Sequence, residues 1–391
     1  MMSLHKPSDY DIAAYHRLLS PELPAFLDKY LELPILTRLK GIGLLCGTDW
    51  TNLYNNRFYY SRYQHSLGVA LIIWHFTHNK AQTIAGLLHD ISTPVFSHVS
   101  DFRKGDALTQ TATEEPTARI IRGDEALGCL LTEDGLTAEE VEDYHIYPIA
   151  DNEIPQLSAD RLEYMFPSGM ALDGSWTMEE IMLCYNDLTI LKNEDGFDEL
   201  GFKTLEVAEL YCEHFCMIGH ILQLNENKLT LQMLGQIMNL AEKVGVLSEK
   251  DFMTLSEKEV MEKLDGLLRS SLPRHCEAGP KQSTFIDKLT KYYRTFRTMI
   301  QIEHTQEALP GDDYFCVNLK VKQRYINPLV KDPRVKPGDD KAVVSLSDNQ
   351  MLLSGLTRQS IRLSEVSEKA RRIIDDFKFF SDTPYGCAKL V

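Results

Sequence analysis

Arg62-Tyr63-Gln64-His65-Ser66-Leu67-Gly68 and, after a helical spacer, Leu87-Leu88-His89-Asp90-Ile91-Ser92-Thr93-Pro94-Val95-Phe96-Ser97-His98-Val99-Ser100-Asp101 are the two pieces of sequence that decide the fold. Their histidines and aspartates stand beside small or apolar residues, which an ordinary solvent-facing helix surface would not supply. Imidazole together with carboxylate suits a divalent transition metal. The tandem His89-Asp90 is the sharpest part. Adjacent helical residues point about 100° apart, so both meet one ion only if the helix is buried beside it and other segments bring the remaining ligands.

Working outward, residues 66–76 carry Leu67, Val69, Ile72, Ile73 and Phe76 at helical spacing, and 81–89 form a second apolar helix ending on the His-Asp pair. Pro94 stops regular helix there. Upstream, 10–46 read as helical, with Gly41, Gly43 and Gly47 marking a break before a polar loop over 48–56. Downstream, a polar loop over 109–115 leads into a helix over 116–122, and the acidic run 131–143 reads as a solvated helix face. The run from Asp143 to Asn152, with His145, then leads to Asp160, Arg161 and Tyr164 within about one helical turn.

From about 176 to 305 the chain reads as helices in series, including 204–224, 229–244 and 257–268. Residues 314–321 and 341–346 alternate and are β-prone, so a small antiparallel hairpin is expected over about 314–346, with an exposed charged loop over 331–340 between its strands. An amphipathic helix over about 361–379 closes the chain. The expected architecture is mainly α: a helical-bundle core over 1–185, its motifs at 62–164, and a helical extension over 186–391 packed on it as one unit.

Composition narrows the function. A net charge of −16 argues against a broad grip on nucleic acid, although a metal and a few basic residues can reverse the field locally for a small anion. No run of about 18 apolar residues occurs and the start lacks a signal-peptide layout, so no membrane association and a cytoplasmic location are expected. Eight scattered cysteines are then expected to stay reduced. Cys212, Cys216 and His220 share a helix face with apolar neighbours and read as packed residues rather than a zinc site.

The order His65, His89-Asp90, Asp160 resembles the H…HD…D signature of the HD superfamily of metal-dependent phosphohydrolases, over roughly residues 25–170 and again at Arg324-Tyr325-Ile326-Asn327-Pro328-Leu329. The likeness is greatest to the deoxynucleoside-triphosphate triphosphohydrolase branch. That branch's R-x-x-H-S-L-G-V appears as Arg62 to Val69, its L-H-D-x-x-x-x-x-F-S-H-x-x-D as Leu88 to Asp101, and its D-x-D-R-x-x-Y helix as Ser158 to Tyr164, with Ser158 in place of the first aspartate. The resemblance implies an HD-domain helical bundle and a homo-oligomer acting on a nucleotide or another phosphorylated small molecule.

The residues carry matching chemistry. His65, His89, Asp90 and Asp160 offer two nitrogen and two oxygen ligands to one divalent transition metal, with Fe, Mn, Zn, Ni and Co all suited, and Mg²⁺ able to enter with the substrate. Arg62, His98 and Arg161 are candidate cations for substrate phosphates, and Tyr164 for a sugar or base. His98 and Asp101, three apart, form an acid–base pair. The branch usually has further histidines where this chain has Thr93 and Thr113. Glu114, its neighbour Glu115, or His145 would then supply the missing proton transfer. If nothing does, the alternative is a nucleotide-binding regulatory protein with little turnover. Cyclic-dinucleotide hydrolysis lacks its G-Y-P companion motif, and a stringent-response hydrolase lacks a synthetase region.

Overall fold

The computed structural model describes residues 11–108, 116–270, 280–334 and 359–391. Helices dominate, so the fold is mainly α as expected. Three apolar cores organise them. The central one joins Val69 and Ile73 of the helix Arg62–Thr77, Leu162 and Phe166 of Ala159–Leu172, Phe215 and Ile218 of Leu205–Gln223, and Phe377 of Glu368–Phe379. Each buried aromatic or branched aliphatic side chain there contributes roughly 1.5–3 kcal/mol of transfer free energy. This core draws on residues from both sides of position 185.

A second core packs Leu36, Ala85, Leu88 and Leu127 on one flank. A third packs Phe96, Phe102, Leu234, Met238 and Tyr293 on the other. The helices expected at 66–76 and 81–89 are Arg62–Thr77 and Lys80–Leu88. The first begins at a capping box: Ser61 Oγ accepts from the Gln64 amide, and Gln64 Oε1 accepts from the Ser61 amide. His65 thus sits in the central core, His89 at the end of a helix rooted in the second, and His98 beside the third.

Among the described residues seven short strands form two sheets, more β structure than the sequence suggested. β1 (Leu188–Lys192) and β2 (Asp198–Phe202) make a hairpin inside the region read as helices in series. Its turn is built by Asn193, whose Oδ1 accepts from the amides of Asp195 and Phe197, and by Gly196 at φ +83°. β3 is Glu303–Thr305, β4 Tyr314–Val317, β5 Leu329–Lys331, β6 Ser360–Arg362 and β7 Tyr385–Lys389. One sheet runs β1-β2-β5-β6, with β2 and β5 parallel; the other runs β3-β7-β4 and is antiparallel.

Of the hairpin expected over 314–346 the described residues include one strand, β4. β4 does form, but its partner is β7, because the alternating pattern fixes a strand's faces and not which strand lies beside it. Residues 341–346 lie outside the described residues. The closing helix also starts later than expected, at Glu368, since 360–362 are taken by β6. The cysteine expectation changes as well. Cys316 and Cys387 face each other across β4 and β7 and are disulfide-bonded, while Cys46, Cys129, Cys184, Cys212 and Cys216 are free. Among the described residues no helix is long and apolar enough to cross a membrane.

Candidate metal centre

His65 lies one turn into its helix, fully buried, with its ring fixed from behind. Its Nδ1–H donates to Glu163 Oε2 at 2.5 Å, and Glu163 Oε1 accepts from Tyr60 at 2.6 Å and from Tyr15 at 3.4 Å. Glu163 is wholly buried, and burial raises its pKa against the pull of His65 and Tyr60. Gly68 makes this contact possible, because a Cβ there would stand 2.3 Å from Glu163 Oε1. With Nδ1 committed, Nε2 faces the centre. His89 is set the same way: its Nδ1 meets the Gly86 carbonyl at 2.7 Å, and its ring lies 4.9 Å from that of Tyr144.

The two Nε2 atoms are 3.2 Å apart. Asp160 Oδ1 lies 3.0 Å from His65 Nε2 and 3.6 Å from His89 Nε2, and Asp90 Oδ2 lies 3.7 and 3.6 Å from the same atoms. Donors held about 2.1 Å from one ion stand about 3.0–4.2 Å from one another, depending on the angle between them, and His65, His89 and Asp160 are grouped closely enough to share an ion, with Asp90 beside them. The two imidazole nitrogens face each other between the carboxylates of Asp90 and Asp160. The residues present therefore fit a divalent ion.

The aspartates are held ionised. Burial alone would raise Asp90, but Arg62, whose Nη1 donates to Oδ2 at 2.8 Å, and the two imidazoles outweigh it and hold it far below the carboxylate range. Asp160 is brought to about 2, burial being outweighed by the hydrogen bond from His65 and the charge of both imidazoles. For His65 burial works downward, and Glu163 and Asp160 reverse it, raising it to about 10.

Thr93, where a histidine was expected, has a visible task. Its hydroxyl donates to Asp90 Oδ1 at 2.8 Å, so both oxygens of Asp90 are held. Arg38 Nη2 secures the same turn by donating to the carbonyls of Ile91 and Thr93. The chain then passes through Phe96 and Ser97 at φ +61° and +52°, left-handed conformations that cost of order 1–3 kcal/mol each for residues with a Cβ. Ser97 Oγ accepts from Arg62 Nε at 3.1 Å and donates to the Gly43 carbonyl at 3.2 Å. His98 follows and faces the cavity, its Nδ1 3.0 Å from Asp101 Oδ2. Burial lowers its pKa, Arg324 and Arg62 act in the same direction, and Asp101 opposes them.

The centre opens into a cavity of about 500 Å³. Arg62, Arg161 and Tyr164, expected on the substrate, all line it. Arg161, however, is engaged with the loop before its helix, through Asn152 Oδ1, the carbonyls of Gln156 and Asn152, and Asp151. Arg62 is likewise bonded to Asp90 and Ser97, so each arginine reaches a ligand only with the N–H groups left over. Burial pushes Tyr164 up to about 12. His145 lies at the exposed rim, its Nδ1 2.9 Å from Asp143 and its Nε2 3.6 Å from Asp151. Glu114, with Thr113 and Glu115, lies outside the described residues.

Sequence reasoning missed Glu163, Tyr60, Tyr15 and Arg38, and gave Lys322 and Arg324 no place at the cavity. For Glu163 a signal existed: an acid between Leu162 and Met165-Phe166, three residues after Asp160, lies on the Asp160 face of an apolar helix. Arg38, Lys322 and Arg324 reach the site only through tertiary packing.

A helical fold here brings His65, His89-Asp90 and Asp160 together at one centre that could hold a metal ion. No model of a known protein family matches the chain. It is 31% identical over 138 residues to the uncharacterized protein YdhJ of Bacillus subtilis, covering 35% of this chain and 41% of that one. It is 28% identical over 120 residues to the metal-dependent phosphohydrolase cns2 of Cordyceps militaris, covering 31% and 34%. The chain thus spans well under half the length of either relative.

Among solved structures it matches a phosphohydrolase from Bacteroides thetaiotaomicron with a TM-score of 0.56 at 14% identity, covering 95% of this chain and 97% of that one. A hypothetical protein from Aquifex aeolicus matches with a TM-score of 0.54, also at 14% identity, covering 94% and 93%. These likenesses show the fold.

Proposed function

We propose that the protein hydrolyses a phosphate bond of a nucleotide or a related small phosphorylated compound. The observation that carries this is the cluster of His65, His89 and Asp160 donor atoms, with Asp90 beside them, on the wall of a cavity of about 500 Å³, a volume that suits a small-molecule substrate. A divalent ion held by those residues supplies Lewis acidity toward a phosphate oxygen and acidifies water. The protein's own part is positional and protonic. Arg62 and Thr93 fix Asp90, Glu163 fixes His65, and Tyr144 packs its tilted ring beside His89. His98, backed by Asp101, faces the cavity as a proton carrier, and His145, between Asp143 and Asp151, is a second carrier at the rim.

The test is release of phosphate, pyrophosphate or tripolyphosphate from a nucleotide panel with Mn²⁺, Fe²⁺, Co²⁺ or Mg²⁺, alongside elemental analysis of the purified protein. We expect turnover with a transition metal and its loss in His89→Ala and Asp160→Ala. Failure of every substrate with every metal sinks the hydrolase reading. The use of Thr93 to hold Asp90, in place of a histidine facing the substrate, favours one rival, a nucleotide-binding regulator. Binding without release would mark it.

A further inference from the structure

Away from the centre and its cavity, a second group of ligating side chains converges from three separate segments. Glu226 stands in the first turn of the helix Asn225–Lys243, His304 on β3, and Asp382 in the segment that leads into β7. One donor atom from each lies within 4.8 Å of the other two. His304 is the hub. Its Nε2 is 3.0 Å from Glu226 Oε1, and its Nδ1 is 3.2 Å from Thr383 Oγ1 and 3.5 Å from Asp382 Oδ1.

The backbone already places one of the carboxylates. Asp382 Oδ2 accepts from the Asn225 amide at 2.8 Å, and its Oδ1 from the Thr383 amide at 2.6 Å. Glu226 is held less completely: Oε1 faces His304, while Oε2 is buried and accepts no hydrogen bond from the described residues. A buried carboxylate oxygen in that state costs free energy, which a cation beside it offsets. An ammonium nearby, Lys228, acts on Asp382 by its charge, and burial lowers its own pKa. Thr383 Oγ1 can accept the Nδ1–H of His304, which leaves Nε2 for an ion. The partners on Nδ1 of His65 and His89 divide the two nitrogens in the same way.

We propose that Glu226, His304 and Asp382 bind a second divalent transition metal, separate from the one at His65, His89 and Asp160, and that this ion serves structure. One imidazole nitrogen with two carboxylate oxygens suits Zn²⁺, water completing the four positions. Donors about 2.1 Å from one ion stand at most about 4.2 Å apart, so a group spread over up to 4.8 Å closes by about 0.6 Å. Rotation of the exposed His304 and the partly exposed Glu226 supplies that movement, and the exposed side of His304 gives the ion a path from solvent. Bound there, the ion fastens β3 and the segment before β7 to the helix whose Asn227 and Leu231 line the cavity. The Cys316–Cys387 bridge fastens the same sheet between β4 and β7. This site needs neither substrate nor turnover, so it does not depend on the hydrolase reading.

The probe is Zn²⁺, added to full-length protein stripped of metal, with equilibrium dialysis and elemental analysis to count ions per chain. Wild type should hold one Zn²⁺ more than His304→Ala. His89→Ala, which disables the first centre, should keep the ion that the His89→Ala/His304→Ala double variant loses. Zn²⁺ should raise the melting temperature of His89→Ala by several degrees, as a ligand of the folded state alone does, and leave that of the double variant unchanged. Glu226→Gln keeps an acceptor toward His304 and removes the charge, so it should lose the same ion, and it serves if His304→Ala does not fold. Equal Zn²⁺ counts in wild type and the folded variants, or no rise in melting temperature for His89→Ala, overturns the proposal and leaves the three residues a plain ion-pair cluster.

Discussion

The donor atoms of the centre are aimed by residues that would not themselves touch an ion. Glu163 is the clearest, because it fixes which nitrogen of His65 carries the proton. Glu163→Gln keeps the shape and removes the charge. It should lower metal affinity by about tenfold to a hundredfold, the usual effect of losing a partner behind a ligand, while leaving the fold intact. Competition with a chelator measures it, and unchanged affinity would make Glu163 a mere packing residue. Thr93→Val is near-isosteric and removes only the hydrogen bond to Asp90 Oδ1. Losing about 1–1.5 kcal/mol of positioning should cost roughly tenfold in kcat with metal content unchanged. At this scale the sequence was legible where ligands stood in a recognisable order. It was not legible for Glu163 or Arg38, whose tasks depend on which side chain lies behind which.

The elements carrying the ligands could be read because their ends are written locally. Ser61 and Gln64 start one helix, and Pro94 halts the chain after the His-Asp pair. What could not be read is contact between elements distant in sequence. Cys316 and Cys387 are 71 residues apart, and alternation within β4 says nothing of β7. The β1–β2 hairpin was overlooked for a different reason. Its turn signal, Asn193-Glu194-Asp195-Gly196, sits between short apolar runs that also suit helix ends. The close crossing of the His65 and Asp160 helices depends on a missing side chain. A Cβ at Gly68 meets Glu163 at 2.3 Å, so in Gly68→Ala the helices must part or Glu163 must leave His65. Overpacking of this kind costs about 1–3 kcal/mol. Gly68→Ala should melt earlier than wild type and hold less metal, whereas a variant with normal melting and normal metal content would show that the crossing has slack.

Over the whole molecule, the C-terminal half supports the centre through buried charge. Arg362 on β6 pairs with Glu194 and with the buried Glu199, and Glu199 accepts from the Leu157 amide just before the Asp160 helix. Glu257 makes a similar bridge on the other side, accepting from the Gly43 amide at 2.9 Å and from Trp50 Nε1 at 2.8 Å. Burial, with the nearby charge of Asp49, raises Glu257 to about 8 despite those two donors. A carboxyl raised in the folded state binds its proton there while the unfolded chain has already lost it. Its stabilisation is therefore complete below the ordinary carboxylate range and disappears as pH rises through about 8. Asp49, raised by burial to about 6, acts in the same sense but is exhausted earlier. His16, lowered by burial to about 4, acts in the opposite sense and only below the ordinary histidine range. Glu257 is thus separated from both between about pH 6.5 and 8. His65, raised to about 10, slopes the same way in that window, so the comparison must be between proteins that share it. Glu257→Gln has no proton to lose. Its melting temperature should fall less than that of wild type between pH 6.5 and 8.5, even though the amide replaces an acceptor facing a donor and lowers stability throughout. Thermal melts of the two proteins across that range give the difference directly, and parallel curves would mean that Glu257 is ionised in the folded protein at neutral pH.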